Sequence, residues 1–163
     1  MLGPNATQRG SLVMPGRLRF DFSHDEPVSR GQIETIEDLV NGWIGENAPA
    51  RVEQMPYRDA IEAGAIAMFG EKYADEVRVV TFGAFSKELC GGTHARASGD
   101  IGVLKIVSEG GVASGVRRIE ALTGAEALRR WREQEHALER TAELLRAPVG
   151  DVEQRVEKLL EER

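Results

Sequence analysis

The sequence predicts an α+β fold: a mainly antiparallel sheet packed with helices and followed by a helical arm. Three observations carry this. Residues 17–22, Arg-Leu-Arg-Phe-Asp-Phe, alternate polar and apolar side chains strictly, the period of a half-buried strand. Ile33, Ile36, Val40, Trp43 and Ile44 recur at helical spacing and make one apolar stripe. After residue 122 the composition shifts to charged residues punctuated by Leu128, Trp131, Leu138 and Leu145, the pattern of a long helix.

In chain order, residues 1–10 carry Gly3, Pro4, Asn5 and Gly10 without periodicity and read as an irregular lead-in. Residues 11–14 and 17–22 flank Pro15-Gly16 and predict a β-hairpin, with Leu18, Phe20 and Phe22 facing a core and Arg17, Arg19 and Asp21 facing outward. Ser29-x-x-Gln32 has the form of a capping box and starts the first helix. Glu34, Glu37 and Asp38 fall outside the apolar stripe and are expected to form its solvated side. Residues 48–55 predict a strand, and Pro56 suits the first turn of a short helix ending near Gly64. Residues 65–73 are apolar and then charged, and read as partly helical.

Residues 77–82 are rich in β-branched side chains and predict a strand, from which residues 83–88 lead into a loop at Cys90. Residues 101–107 and 116–122 predict a second antiparallel pair, with Gly110, Gly111 and Gly115 in the connection. Thr123-x-x-Glu126 and Asp151-x-x-Gln154 both have capping form, and Pro148 and Gly150 separate the two helices they open. Val152, Val156, Leu159 and Leu160 share one side of the second, so the pair reads as a coiled-coil-like arm whose seam needs a partner. The pattern is still running at the last residue, which leads us to expect a longer natural polypeptide.

A length of 163 residues fits one domain with an appendage. No apolar run approaches membrane-spanning length and no basic region precedes an apolar one, so a cytoplasmic protein with no membrane partner is expected. A single cysteine cannot form an internal disulfide, which fits a reducing compartment and leaves metal binding or catalysis as its specialised uses. The net charge of −6 argues against a general phosphate-binding surface, although arginines cluster at Arg17 and Arg19, at Arg117 and Arg118, and at Arg129, Arg130 and Arg132.

The segment Cys90-Gly91-Gly92-Thr93-His94 places the cysteine four residues from a histidine. Both can bind zinc, and two glycines between them disfavour a helix and allow a tight turn. Two donors are half a zinc site, so the alternative is a buried free cysteine beside an incidental histidine. His24 reads as a structural histidine rather than a third ligand, and His136 as an exposed one.

Five motifs in order resemble the editing domain of bacterial alanyl-tRNA synthetases: Gln8-Arg9-Gly10-Ser11-Leu12-Val13, Arg17-Leu18-Arg19-Phe20-Asp21-Phe22-Ser23-His24, Phe69-Gly70-Glu71-Lys72-Tyr73, Glu88-Leu89-Cys90-Gly91-Gly92-Thr93-His94 and Gly115-Val116-Arg117-Arg118-Ile119-Glu120. The resemblance covers residues 1–122, which would be the editing domain of threonyl/alanyl second-additional-domain type. Residues 123–163 resemble the start of that family's oligomerisation arm.

The resemblance implies a hydrolase that cleaves Ser-tRNA(Ala) and Gly-tRNA(Ala), with zinc bound by two histidines of a His-x-x-x-His segment together with Cys90 and His94. It implies tRNA(Ala) as a partner of the intact enzyme, self-association through the arm, and ATP at a separate aminoacylation domain. Gln8 and Ser11, on the hairpin, are expected to line the pocket and to bind the serine hydroxyl or the attacking water. Gly91 and Gly92 either let the backbone approach the ester or adenosine or serve only a turn, and Thr93 either contacts substrate or satisfies the loop. Arg117 and Arg118 alternate across a strand, so at most one is expected to face RNA. No His-x-x-x-His occurs in these 163 residues, so this chain by itself is expected to bind zinc weakly or not at all and to edit poorly. The alternative is a non-catalytic module that contacts tRNA or self-associates.

Overall fold

The computed structural model describes residues 2, 3, 5–67 and 72–162. Its strands are β1 (Gln8–Met14), β2 (Arg17–Ser23), β3 (Ala50–Pro56), β4 (Glu76–Phe82), β5 (Ser86–Leu89), β6 (Leu104–Ala113) and β7 (Val116–Thr123). Its helices are α1 (Arg30–Gly45), α2 (Tyr57–Glu62), α3 (Gly124–Leu145) and α4 (Val152–Glu161). The fold is α+β as expected, but the strands form two antiparallel sheets, one ordered β1-β2-β7-β6 and the other β3-β4-β5. Among the described residues, no helix is long and apolar enough to cross a membrane.

The hairpin forms around Pro15-Gly16, and Met14 pairs with Arg17. Gly16 sits at φ +72°, a conformation that glycine adopts without the steric cost of a Cβ. Phe22 is buried with Val28, Ile106, Ile119 and Ala121, and Leu18, Phe20, Ile33 and Ile36 pack against that cluster. The predicted alternation therefore sets which face of β2 meets the core. Its polar face is less exposed than predicted, because Arg118 on β7 donates two hydrogen bonds to Asp21, of 2.7 and 2.8 Å. Arg117 pairs with Glu109. Both arginines are thus held by acids, where the sequence reading left one of them open to RNA.

The capping box at Ser29 forms completely: its hydroxyl accepts from the Gln32 amide, and the Gln32 side chain accepts from the Ser29 amide. Helix α1 joins the two sheets. Asn41 both donates to the Leu104 carbonyl, at 2.9 Å, and accepts from the Leu104 amide, at 2.7 Å. Trp43, farther along, stacks on Phe85 beside the second sheet with ring centroids 5.1 Å apart. Glu37, expected in solvent, is buried and accepts from the Ile106 amide at 2.6 Å and from Lys105 at 2.7 Å. The edge of β6 at Leu104–Ile106 is thereby closed by side chains of a helix rather than by another strand.

Other expectations need correction. Residues 65–67 and 72–73 contain no helix, Ile66 instead bridging to Glu88, while residues 68–71 lie outside the described residues. Residues 86–89 form a strand instead of loop. The strand predicted to begin at residue 101 starts at Leu104, after a short 3-10 turn at Ser98–Ile101, and it runs through Gly110 and Gly111 with local register shifts. Only Gly115 of the three glycines occupies the β6–β7 turn. Neither Thr123 nor Asp151 makes a side-chain cap. Strand β7 passes into α3 through Gly124 at φ +54°, so backbone geometry decides that junction.

Candidate functional site

The Cys90 loop is built on the second sheet. Strand β4 pairs with β5 in the register Val79↔Leu89, and the Cys90 amide extends this ladder by donating to the Arg78 carbonyl at 3.1 Å. Leu89 turns into the core formed by Val77, Val79, Ala60 and Ala65. Side chains two apart on an extended strand share a face, so Glu88 and Cys90 both project away from that core. His94 returns to them, its ring 6.3 Å from that of Phe82 between centroids.

One donor atom each from Glu88, Cys90 and His94 lie within 4.8 Å of one another, and all three residues are partly buried. Nδ1 of His94 is 3.9 Å from a Glu88 carboxylate oxygen. Its other ring nitrogen, Nε2, is buried and has no hydrogen-bond partner among the described residues. Thiolate sulfur, imidazole nitrogen and carboxylate oxygen are the donor types of zinc sites, so this cluster fits such an ion chemically. The sequence reading missed Glu88. The available signal was its i−2 relation to Cys90, which becomes informative only once residues 86–89 are known to be a strand.

Arg78 organises the loop from β4. Its Nη1 donates to the Cys90 carbonyl at 2.6 Å and to the Gly92 carbonyl at 2.8 Å, while the Gly92 amide donates to Cys90 Sγ at 3.4 Å. Gly91 and Gly92 are both outside the left-handed region, so the turn does not require glycine there. A Cβ at Gly91 would meet nothing within 4 Å, whereas one at Gly92 would touch Cys90 Sγ at 3.5 Å. Thr93 is exposed.

Gln8 and Ser11 lie on β1 in the other sheet, where Gln8 Nε2 donates to Ser11 Oγ at 3.1 Å. The structure therefore joins these two to each other and joins Cys90 to His94, as two polar groups on separate sheets. His24 stacks on Phe22, with centroids 6.4 Å apart, and His136 is exposed.

Residues 77–120, which contain the whole Cys90 loop, match the family described as Threonyl and Alanyl tRNA synthetase second additional domain. Among curated proteins, the alanine–tRNA ligase of Myxococcus xanthus (strain DK1622) is 58% identical over 96% of this chain and 18% of the relative. That of Methylococcus capsulatus is 55% identical over 99% of this chain and 19% of the relative. That of Chelativorans sp. (strain BNC1) is 51% identical over 100% of this chain and 20% of the relative. The chain thus spans about a fifth of the length of the relatives it matches. Nearly its whole length is similar to one segment of the alanine–tRNA ligases, a segment that carries a second additional domain of the threonyl and alanyl tRNA synthetase type.

Proposed function

We propose that this segment is the editing module of an alanine–tRNA ligase, hydrolysing the ester of serine or glycine wrongly attached to tRNA(Ala), with zinc held through Cys90 and His94. The observation that supports it is the convergence of Glu88, Cys90 and His94 on one loop within residues 77–120. The chemical need is clear: a pocket shaped for the alanine methyl group discriminates weakly against an added hydroxyl or a missing methyl, so a second site must inspect the product. When bound, zinc supplies a Lewis acid that polarises an ester carbonyl or lowers the pKa of a water.

The residues of this chain would divide the remaining work. Arg78 keeps the Cys90 and Gly92 carbonyls turned toward itself, and the open space at Gly91 leaves room for the ester and the terminal adenosine of the tRNA. Gly92 and the exposed Thr93 would complete that contact. The Gln8–Ser11 pair would supply the polar groups that read the serine hydroxyl or hold the attacking water, so substrate would sit against both sheets. The domain division is proposed between residues 122 and 123, at the end of β7 and just before the helical arm begins at Gly124. ATP would serve aminoacylation elsewhere in the ligase, in the cytoplasm.

The test is Cys90→Ala in the ligase that contains this segment, assayed for serine release from Ser-tRNA(Ala) and separately for alanylation. Release is expected to fall to the rate of uncatalysed ester hydrolysis while alanylation continues. Unchanged release would overturn the proposal.

A second reading, self-association through the arm, is favoured by Trp131 at 66%, Leu144 at 86% and Leu160 at 63% exposure. Sedimentation over a range of concentrations should then reveal a dimer or larger species, and a strictly monomeric chain at high concentration removes this reading.

A further inference from the structure

We infer that the outer face of the first sheet, the side turned away from its core, holds the phosphate backbone of the tRNA through a row of guanidinium groups centred on Arg19. This rests on the reading of the chain as a tRNA ester hydrolase, and it adds where the body of the RNA lies.

The register assembles the row. Leu18, Phe20 and Phe22 belong to the core side of β2, so Arg17, Arg19 and Asp21 between them share the outer face. On β7, Glu120 stands opposite Arg19 and Arg118 opposite Asp21. The bulge between Gln8 and Gly10 on β1 lets Arg9 reach over the same face, where its Nε donates to the Ser23 hydroxyl at 2.6 Å. Helix α1 packs Ile33 and Ile36 on the core side, and the Arg17 side chain on the outer side stays 49% exposed.

Four guanidinium groups thus meet two carboxylates, in a chain whose net charge is −6. Both acids are taken by arginines other than Arg19. The two Asp21 oxygens accept from Arg118 at 2.7 and 2.8 Å, and Glu120, although directly opposite Arg19, accepts from Arg17 at 3.0 Å. Nε of Arg19 is buried and has no hydrogen-bond partner among the described residues. A charged donor in that state is costly, and an anion drawn to the guanidinium offsets the cost.

Spacing selects the anion. Alternate residues of a strand stand about 6.6 Å apart, so Arg17 and Arg19 match the interval between successive phosphates of a nucleic-acid strand. Each guanidinium can take a phosphate through two parallel N–H bonds. Strand β1 is the free edge of this sheet, and Gln8 and Ser11 lie on its core side, opposite Phe22 and Phe20. An RNA whose aminoacylated end reaches those two residues crosses the edge and lies on Arg9, Arg19 and Arg17.

Fluorescence anisotropy of this chain with labelled tRNA(Ala), repeated over a range of salt concentrations, tests the inference. Arg19→Gln is expected to weaken binding at least about fivefold at about 50 mM salt and to reduce the slope of log affinity against log salt by about one, the mark of a lost phosphate contact. Arg9→Gln should lower the slope similarly, and Arg19→Lys should keep most of it. Arg58→Gln, on α2 beside the other sheet, is the control for net charge and should change neither. Circular dichroism checks folding, and if Arg19→Gln does not fold, Arg9→Gln decides. Unchanged affinity and slope would overturn the assignment, as would a loss no larger than that of Arg58→Gln or a wild-type chain that binds no tRNA at low salt. The Cys90→Ala release assay is independent of this one. Lost release there with unchanged binding here removes the surface and leaves the editing reading, whereas the converse leaves an RNA-binding face without an editing centre.

Discussion

Arg78 and Cys90 hold each other in both directions: the Cys90 amide donates to the Arg78 carbonyl at 3.1 Å, and Nη1 of Arg78 donates to the Cys90 carbonyl at 2.6 Å. The same nitrogen lies 2.8 Å from the Gly92 carbonyl. A guanidinium on a central strand therefore sets the loop before any ligand arrives, and the preorganised loop needs less ordering on binding.

Replacing that guanidinium should loosen the loop. Arg78→Ala is expected to cost about 1–2 kcal/mol of folding stability through the lost charge-assisted hydrogen bonds. It should also speed amide exchange at Gly92. Arg78→Lys should recover only part of the stability, since an ammonium on a flexible stem is not held in the fixed plane of a guanidinium. Urea unfolding and hydrogen exchange check both, and an unchanged Gly92 exchange rate would contradict the clamp.

The closed edge of β6 gives a second prediction. Asn41→Ala removes both bonds to Leu104 and should cost about 1–3 kcal/mol, because a part-buried amide and carbonyl lose their partners. Glu37→Ala should cost a similar amount by stranding the Ile106 amide and Lys105. Chemical denaturation would show it. Values near zero would mean that water replaces these side chains without penalty.

Acid should weaken the first sheet. Hydrogen bonding to Arg118 holds Asp21 below its ordinary value, against the opposing effect of burial, with further attraction from Arg118 and Arg19. Hydrogen bonding to Arg117 does the same for Glu109, again against burial, with help from the Val28 backbone and the charges of Arg117 and His24. A lowered folded-state value means that the unfolded chain takes up protons first as pH falls. The stability from these pairs is therefore present at neutral pH, declines from about pH 5, and is lost once the folded-state carboxylates protonate. Asp21→Asn and Glu109→Gln should each flatten that decline in unfolding measurements between neutral pH and the acid range, and an identical acid slope in both variants would refute the assignment.

The packing of the β7–α3 junction depends on a glycine. Gly102 sits at φ +73°, and a Cβ there would come 3.0 Å from the Cα of Gly124. Gly102→Ala combines strain with a backbone clash, so thermal unfolding is expected to register a loss of about 2 kcal/mol or more. Gly91→Ala, which meets open space, should leave stability within about 0.5 kcal/mol and serves as the control.

Several features were legible because their causes are local. The alternation of residues 17–22 sets the inward face of β2, and the reciprocal bonds of Ser29 and Gln32 start α1 where the motif places it. Thr123 and Asp151 show the limit of that reasoning, since each has the right spacing and neither caps. Glu37 carries a local signal of its burial. It follows Ile33 by four residues and precedes Asn41 by four, so two polar residues stand along the inner flank of the helix, where each needs a partner. Those partners, Leu104 to Ile106, lie more than 60 residues away.

The sequence by itself determined the α+β class, the hairpin, the first helix, and the placing of a cysteine and a histidine within five residues of one another along the chain, since each depends on periodicity or short-range chemistry. Tertiary structure alone decided that the strands divide into two sheets and that Glu37 and Asn41 seal an edge. It also decided that both Arg117 and Arg118 are taken by acids, and that Glu88 shares a face with Cys90. The physical reason is the same in each case. Strand register and long-range pairing choose a side chain's partners, and a period read along the chain carries no information about which distant strand lies beside it.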